Sequence, residues 1–163
     1  MSVNHTIRKG IKEDMPSVWL LIKELAVFEN EADAVEVTVA DLEKDGFSEN
    51  PKFEVFVAEV ENKIVGIALF YYRYSTWKGP TVHLEDLIVQ EDKRGLGIGK
   101  ALYNEVMRFA FSKKVKRIDW DVLDWNTNAV KFYENTGATV LAEWNAVKMY
   151  EKDLATYIKQ IGE

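Results

Sequence analysis

Apolar residues recur at helical spacing early in the chain. Val18, Leu21, Ile22, Leu25 and Phe28 fall on one stripe, which predicts a helix over 15–28 with that stripe turned toward a core. Asp14 stands where an N-cap belongs, and Pro16 lies in the first turn, where a missing N–H matters little. Thr38 and Asp41 have the spacing of a capping box for a second short helix, which Gly46 would close in a left-handed conformation. The period then changes to two. Residues 53–60 mix β-branched and aromatic side chains, and 64–74 do so again after the turn Glu61-Asn62-Lys63, so the pair reads as a hairpin. Lys78-Gly79-Pro80 breaks the pattern, and 82–89 forms another strand that carries His83, Glu85 and Asp86 within an apolar frame. A short strand at 5–9 precedes all of these.

Helical spacing returns at Ala101, Leu102, Val106, Phe109 and Ala110, predicting a helix to about Lys113. A strand at 118–123, a short helix at 128–136 ending at Gly137, one or two strands within 139–150 and a helix at 154–161 complete the order. Such an alternation gives an α/β fold built around one mixed sheet. With 163 residues, a single domain over 1–163 is expected.

Hydrophobic residues are 47% and aromatic residues 12% of the chain, enough for a sizeable core and against disorder. No run approaches the ~18 apolar residues of a membrane span, and residues 1–9 lack the apolar stretch of a secretory leader. No membrane partner and a cytoplasmic location are therefore expected. The absence of cysteine excludes disulfides, thiolate metal sites and a cysteine nucleophile. His5 and His83 have no metal-ligand spacing, so no metal site is expected, and His83 reads as a strand residue with a hydrogen bond. The 21 basic and 27 acidic residues leave a net charge of −6. That charge repels a phosphate backbone, so no nucleic-acid partner is expected, and it suits cationic small molecules; its plainer reading is solubility.

Arg94-Gly95-Leu96-Gly97-Ile98-Gly99-Lys100 lies between a predicted strand and a predicted helix. Backbone N–H groups and a helix N-terminus can converge there on a phosphate oxygen, and glycines at alternate positions remove side chains that would block the approach. A dinucleotide fingerprint would need a small residue at Lys100, and a Walker loop would need glycine at Arg94 and a hydroxyl at Ala101. Both fail on spacing. An anion site remains, beside the plainer reading of a sharp turn.

Residues 89–102 resemble the Arg-x-x-Gly-x-Gly core motif of the GNAT superfamily of N-acetyltransferases, and the likeness extends to Asn126 and to Phe132-Tyr133-Glu134-Asn135-Thr136-Gly137-Ala138. Leu21-Ile22-Lys23-Glu24-Leu25-Ala26, Asp45-Gly46-Phe47, Leu84-Glu85-Asp86 and Trp125-Asn126 carry a closer likeness to the diamine (spermidine/spermine) and thialysine acetyltransferase branch. The resemblance implies a mixed, mostly antiparallel central sheet flanked by helices, acetyl-CoA as acetyl donor, and a homodimer. It implies that Arg94, Gly95, Leu96, Gly97, Ile98, Gly99 and Lys100 hold the CoA pyrophosphate. Leu87, Ile88 and Val89 would line the pantetheine arm, bordered by Asp119, Trp120 and Asp121 and by Asn126, Thr127, Asn128 and Ala129. Asn126 serves equally well as a turn-forming residue.

An amine acceptor starts as an ammonium ion, and removing its proton at pH 7 costs roughly 4.6 kcal/mol. Glu85 is placed to accept that proton, through a water because a carboxylate is a weak base. Backbone N–H groups near Leu87 can stabilise the oxyanion formed on attack. Tyr133, whose setting resembles that of the family's catalytic tyrosine, is the candidate acid for the leaving thiolate. Asp86, by alternation, faces away from Glu85 and can share its role only if a bulge intervenes. For the acceptor, the resemblance points to Phe28-Glu29 and Asp86, and Trp77 before the Gly-Pro turn can stack an alkylammonium or cap a hairpin. Phe28 stands where the branch commonly has tyrosine and Val27 where it has a basic residue. The leading reading is thus an N-acetyltransferase acting on a diamine- or polyamine-like amine. Thialysine or another amino acid, a protein or peptide acceptor, and a non-catalytic acyl-CoA-binding module are the alternatives.

Overall fold

The hairpin expected over 53–74 is the centre of a five-stranded sheet in the computed structural model, which describes residues 4–162. The strands are β1 (Thr6–Lys9), β2 (Glu54–Val60), β3 (Lys63–Ser75), β4 (Gly79–Val89) and β5 (Ile118–Asp119), adjacent in that order. All pairs are antiparallel except β4 with β5, which run parallel. Glu61 and Asn62 at the β2–β3 turn both take positive φ, 50° and 61°, the paired left-handed geometry that matches the twist of a tight hairpin. The stretch 1–9, read for a leader, lies partly outside the described residues.

The chain divides into two compact units, Met1–Asp121 and Val122–Glu163. The first holds the whole sheet with helices α1 (Met15–Phe28), α2 (Val39–Gly46) and α3 (Ile98–Ser112). Met15, Val18 and Leu21 of α1 are buried against Val55, Val57, Ile67, Leu69 and Ile88 on one face of the sheet, each contributing about 2 kcal/mol through apolar burial. The other face receives α3, with Ile98, Leu102, Val106 and Ala110 buried and Phe109 packed on Phe70 at 4.9 Å between ring centres.

Three local expectations change. Asp14 occupies the N-cap position of α1 but caps nothing with its side chain. Its carboxylate instead takes the Arg8 guanidinium at 2.6 and 2.9 Å and the Ile11 N–H at 2.8 Å, and the Arg8 hydrogen bonds hold it below the usual carboxylate range. The Thr38–Asp41 capping box is present, yet Gly46 is the last helical residue and does not turn left-handed. An added Cβ there would meet the Phe53 ring at 2.6 Å, so the glycine serves close packing. The strand expected at 118–123 shrinks to two residues, because its ladder with β4 stops at His83–Asp119, two residues before an irregularity in β4.

The second unit contains α4 (Thr127–Glu134) and α5 (Glu151–Gln160). Asn126 caps α4 through a 3.3 Å hydrogen bond from the Ala129 N–H to its Oδ1, and Gly137 ends the following turn at φ 95°. No strand forms within 139–150. Alternating side chains make a strand only where a neighbour supplies ladder bonds, and here the Trp144 N–H bonds locally to the Leu141 carbonyl. No described helix is long and apolar enough to cross a membrane.

Candidate functional site

The irregularity in β4 is a bulge at Glu85. Leu84 pairs with Phe70 and Asp86 with Leu69, so Glu85 is an extra residue in the register between β4 and β3. Its consequence follows from parity. His83 and Glu85 share a face by alternation, and Asp86 is reset to the face of Leu69, which is the α1 face. Both carboxylates therefore lie on one side of the sheet, which uninterrupted alternation forbids. Burial, then the charges of Glu85 and of Glu29 at the end of α1, push Asp86 up to about 7.

Glu85 is joined to a row of polar side chains across the sheet. Tyr71 donates its hydroxyl to Glu85 Oε2 at 2.8 Å, and burial, reinforced by that bond, pushes the phenol up to about 12. His83 Nε2 lies 3.4 Å from the same oxygen, and its Nδ1 lies 2.6 Å from Asp119 Oδ1. Arg73 and Arg117 donate to Asp119 at 3.1 and 3.0 Å. Burial alone would raise Asp119, but His83 and the two arginines outweigh it and hold the carboxyl low. His83 is the hydrogen-bonded strand residue expected from sequence, whereas sequence reasoning missed Tyr71, Arg73 and Arg117. The available signal was the two-residue spacing of His83 and Glu85, which places both on one strand face.

Beyond His83, no described strand pairs with the outer edge of β4. Gln90 donates its N–H inward to Val65 at 2.8 Å, so alternation turns the backbone groups of Leu87 and Val89 to the outer edge, while the Ile88 side chain is buried in the α1 core. The Val89 carbonyl accepts from Arg94 Nε at 2.9 Å. The same guanidinium sits 5.1 Å above the Phe28 ring and 3.7 Å from Glu24. Glu24, also missed from sequence as a site residue, accepts the Glu91 N–H.

The glycine loop then enters α3. Gly95 and Gly97 have φ of 76° and 83°, and an added Cβ at either meets nothing within 4 Å. The loop backbone is thus open on that side, and the first amides of α3, at Ile98, Gly99 and Lys100, have no acceptor within the helix. Leu96 is half-buried and Ile98 fully buried, anchoring the turn. Open backbone with N–H groups at a helix N-terminus fits a phosphate-bearing cosubstrate such as acetyl-CoA.

The other candidates are placed as follows. Trp77 is 81% exposed at the tip of the β3–β4 hairpin, its N–H bonded to Ser75 Oγ. Trp120 meets the Tyr103 ring edge-on at 5.8 Å, and Asp121 is exposed at the end of the first unit. Asn126 is engaged as the α4 cap, with Thr127, Asn128 and Ala129 in the first turn behind it. Tyr133 is half-buried in the last turn of α4 against Phe132. A groove beside α1, lined by Glu13, Asp14, Ser17, Glu59 and Lys63, shares only Glu24 and Gln90 with the site residues described above. Among the described residues no three His, Asp or Glu side chains converge as metal ligands.

Known proteins give this geometry its context. The Acetyltransferase (GNAT) family profile matches residues 18–138. A thialysine N-epsilon-acetyltransferase of Bos taurus is 37% identical over 145 residues, covering 84% of this chain and 85% of that protein. A spermidine/spermine N(1)-acetyltransferase-like protein of Homo sapiens is 34% identical over 158 residues, covering 91% of this chain but only 23% of that longer protein. The structure of an integron cassette protein from the mobile metagenome of V. cholerae superposes with a TM-score of 0.77 at 26% identity, covering 98% of this chain and 99% of that one. With its five-stranded, mostly antiparallel sheet and flanking helices, this chain belongs to the GNAT family of acetyltransferases, and it is an enzyme that transfers an acetyl group to an amine.

Proposed function

We propose that the protein is an acetyl-CoA-dependent N-acetyltransferase of a small cationic acceptor, a diamine or polyamine, acting as one domain over 1–163. The observation that carries this reading is the bulge, which gathers Glu85 and Asp86 on the α1 face with the charge of Glu29 felt at Asp86. Three carboxyl groups so placed favour an acceptor with more than one positive charge. Acetyl-CoA, when bound, supplies the acetyl group activated as a thioester. The amides of Gly95, Gly97, Ile98, Gly99 and Lys100 would hold its phosphates, and the outward backbone of Leu87 and Val89 would hold its amide arm. Arg94 shapes the loop from beneath by its bond to the Val89 carbonyl.

Glu85 takes the ammonium proton, directly or through a water, leaving a neutral amine to attack. Asp86, Glu29 and Phe28 orient the acceptor. Tyr133 protonates the departing thiolate, a role that rests on its likeness to the family's tyrosine. The reading includes a cytoplasmic homodimer. Thiol release from acetyl-CoA over a panel of diamines, polyamines, amino acids and peptides tests it. Diamines should give the highest kcat/KM; tight acetyl-CoA binding without turnover on any amine would mean a binding module. Tyr133→Phe should cut kcat by about 10² with acetyl-CoA affinity unchanged, and unaltered turnover would remove the tyrosine from the mechanism. A thialysine or other amino-acid acceptor is the second reading, favoured by the 85% coverage of the bovine thialysine enzyme.

A further inference from the structure

His83 serves neither the glycine loop nor the acceptor cluster, yet it is buried to 7% exposure in the middle of the sheet. Tyr71 pairs with it from β3 and Asp119 from β5, so three polar side chains stand in one row across three strands. The groups facing its ring are Tyr71 and Arg73 from β3, Glu85 from β4, and Asp119 from β5, with Arg117 behind Asp119. Arg73 approaches Nδ1 at 3.5 Å but is itself bonded to Asp119.

A neutral imidazole carries one proton and cannot satisfy two carboxylates. With Nδ1–H donated to Asp119, the lone pair of Nε2 faces Glu85 Oε2. A second proton, on Nε2, turns that opposed contact into a charge-assisted hydrogen bond. We propose that His83 is the terminal acceptor of the proton released by the amine substrate, receiving it through Glu85. The proposal rests on the acetyl-transfer reading of Glu85. In the step, one N–H bond of the ammonium breaks and its electron pair stays on nitrogen as the nucleophile. The proton reaches the Glu85 carboxylate, directly or through a water, and passes from its oxygen to Nε2. Asp119 stays ionised, holds Nδ1–H and neutralises the imidazolium. After product leaves, the proton returns to solvent by way of Glu85.

Proton affinities favour this route. Moving a proton from an alkylammonium to an ordinary carboxylate is uphill by about six pK units, and to an ordinary imidazole by about four. The hydrogen bond to Glu85, and then Asp119, raise His83 further despite its burial. His83 does not touch the acceptor, so it is a positioning residue that acts through Glu85, and the pH dependence of turnover is where it must show.

The test compares kcat/KM against pH for the wild-type enzyme, His83→Gln and Asp119→Asn, with one amine that the wild type acetylates. Wild-type activity should rise through an apparent pKa above 6.5. His83→Gln should lose about 10²-fold near pH 7, shift that limb toward the carboxylate range, recover as the amine's own pKa is approached, and keep its KM for acetyl-CoA. Asp119→Asn should move the limb in the same direction and covers the case in which His83→Gln does not fold. The chain has only His5 and His83, so the His83 ring signals are identified in the NMR spectrum by their loss in His83→Gln. That ring should titrate above 6.5 in the wild type and closer to 6.5 in Asp119→Asn and Glu85→Gln. Turnover by the wild type with an unmoved limb in the variants, or a His83 ring that titrates at or below 6.5, overturns the proposal alone. No turnover on any amine by the wild type fails the acetyl-transfer reading, and the proposal falls with it.

Discussion

Replacing Asp86 with asparagine removes a carboxyl that the fold keeps protonated well toward neutrality. Burial at the bulge, with the charges of Glu85 and Glu29, pushes Asp86 from an ordinary 3.8 to about 7. The unfolded chain loses this proton near pH 4 and the folded chain near pH 7. Between those values the folded state binds more protons, so stability falls as pH rises. At 1.36 kcal/mol per pK unit, the separation bounds the loss at about 4 kcal/mol. The side chain is half-buried and water reaches part of it, which reduces the figure to about 1–2 kcal/mol. Asparagine is uncharged throughout. Asp86→Asn should therefore match the wild type near pH 4 and exceed its stability by about 1–2 kcal/mol at pH 8. Urea unfolding at both pH values, read from midpoints at a common slope, measures the difference. Equal midpoints at pH 8, or a less stable variant there, would refute the argument that the bulge strains this carboxyl. The same variant should raise the KM for a cationic acceptor, because a bound ammonium restores the ionised carboxylate that the empty site disfavours.

Two further substitutions separate backbone conformation from packing. Gly97→Val places a β-branched residue at φ 83° with open space around its Cβ. It should cost about 1–3 kcal/mol of stability from backbone strain and weaken acetyl-CoA binding more than tenfold by calorimetry; unaltered affinity would mean the loop does not hold the cosubstrate. Gly46→Ala should gain about 1 kcal/mol of helix propensity yet lose more by driving a methyl group to 2.6 Å from the Phe53 ring. A net loss of about 1–2 kcal/mol in thermal or urea unfolding is expected, and a stabilised variant would show that the ring yields freely.

The elements that were legible in sequence are those set by local chemistry. The stripe of α1, Pro16 in its first turn, the Thr38–Asp41 box and the Glu61-Asn62 turn each depend on residues within a few positions of one another. The glycine loop was legible for the same reason. Asp14 misled because a carboxylate before a helix looks like a cap whether or not a partner such as Arg8 claims it from a neighbouring strand. Gly46 misled because close approach by Phe53 leaves no mark in the helix sequence. The bulge at Glu85 was hidden more deeply. Residues 82–89 read as an unbroken apolar-framed strand, and only pairing with β3 reveals that Glu85 is extra. On that point turned the face of Asp86.

The anion end of the proposed site has its own logic in this acidic protein. The net charge of −6 opposes the approach of a polyanion, and Arg94, one of the two cations that bracket the loop, is bonded to the Val89 carbonyl, stacked over Phe28 and close to Glu24. Its guanidinium is thus engaged within the protein. Under the proposed function, attraction for phosphate would then fall to Lys100 and to short-range N–H groups on the left-handed glycines and at the start of α3, which act only within hydrogen-bond reach. Such a site would discriminate by fit: an anion would have to reach the amides of Gly95 and Gly97 to be held, while the carboxyl cluster at the bulge would attract cations from a distance. The two ends are joined by the few residues of β4 between Asp86 and Gln90. Under the proposed function, one strand would separate the attraction of a cationic acceptor from the capture of an anionic donor, and the bulge that aligns Asp86 with Glu85 would fix where the first of these begins.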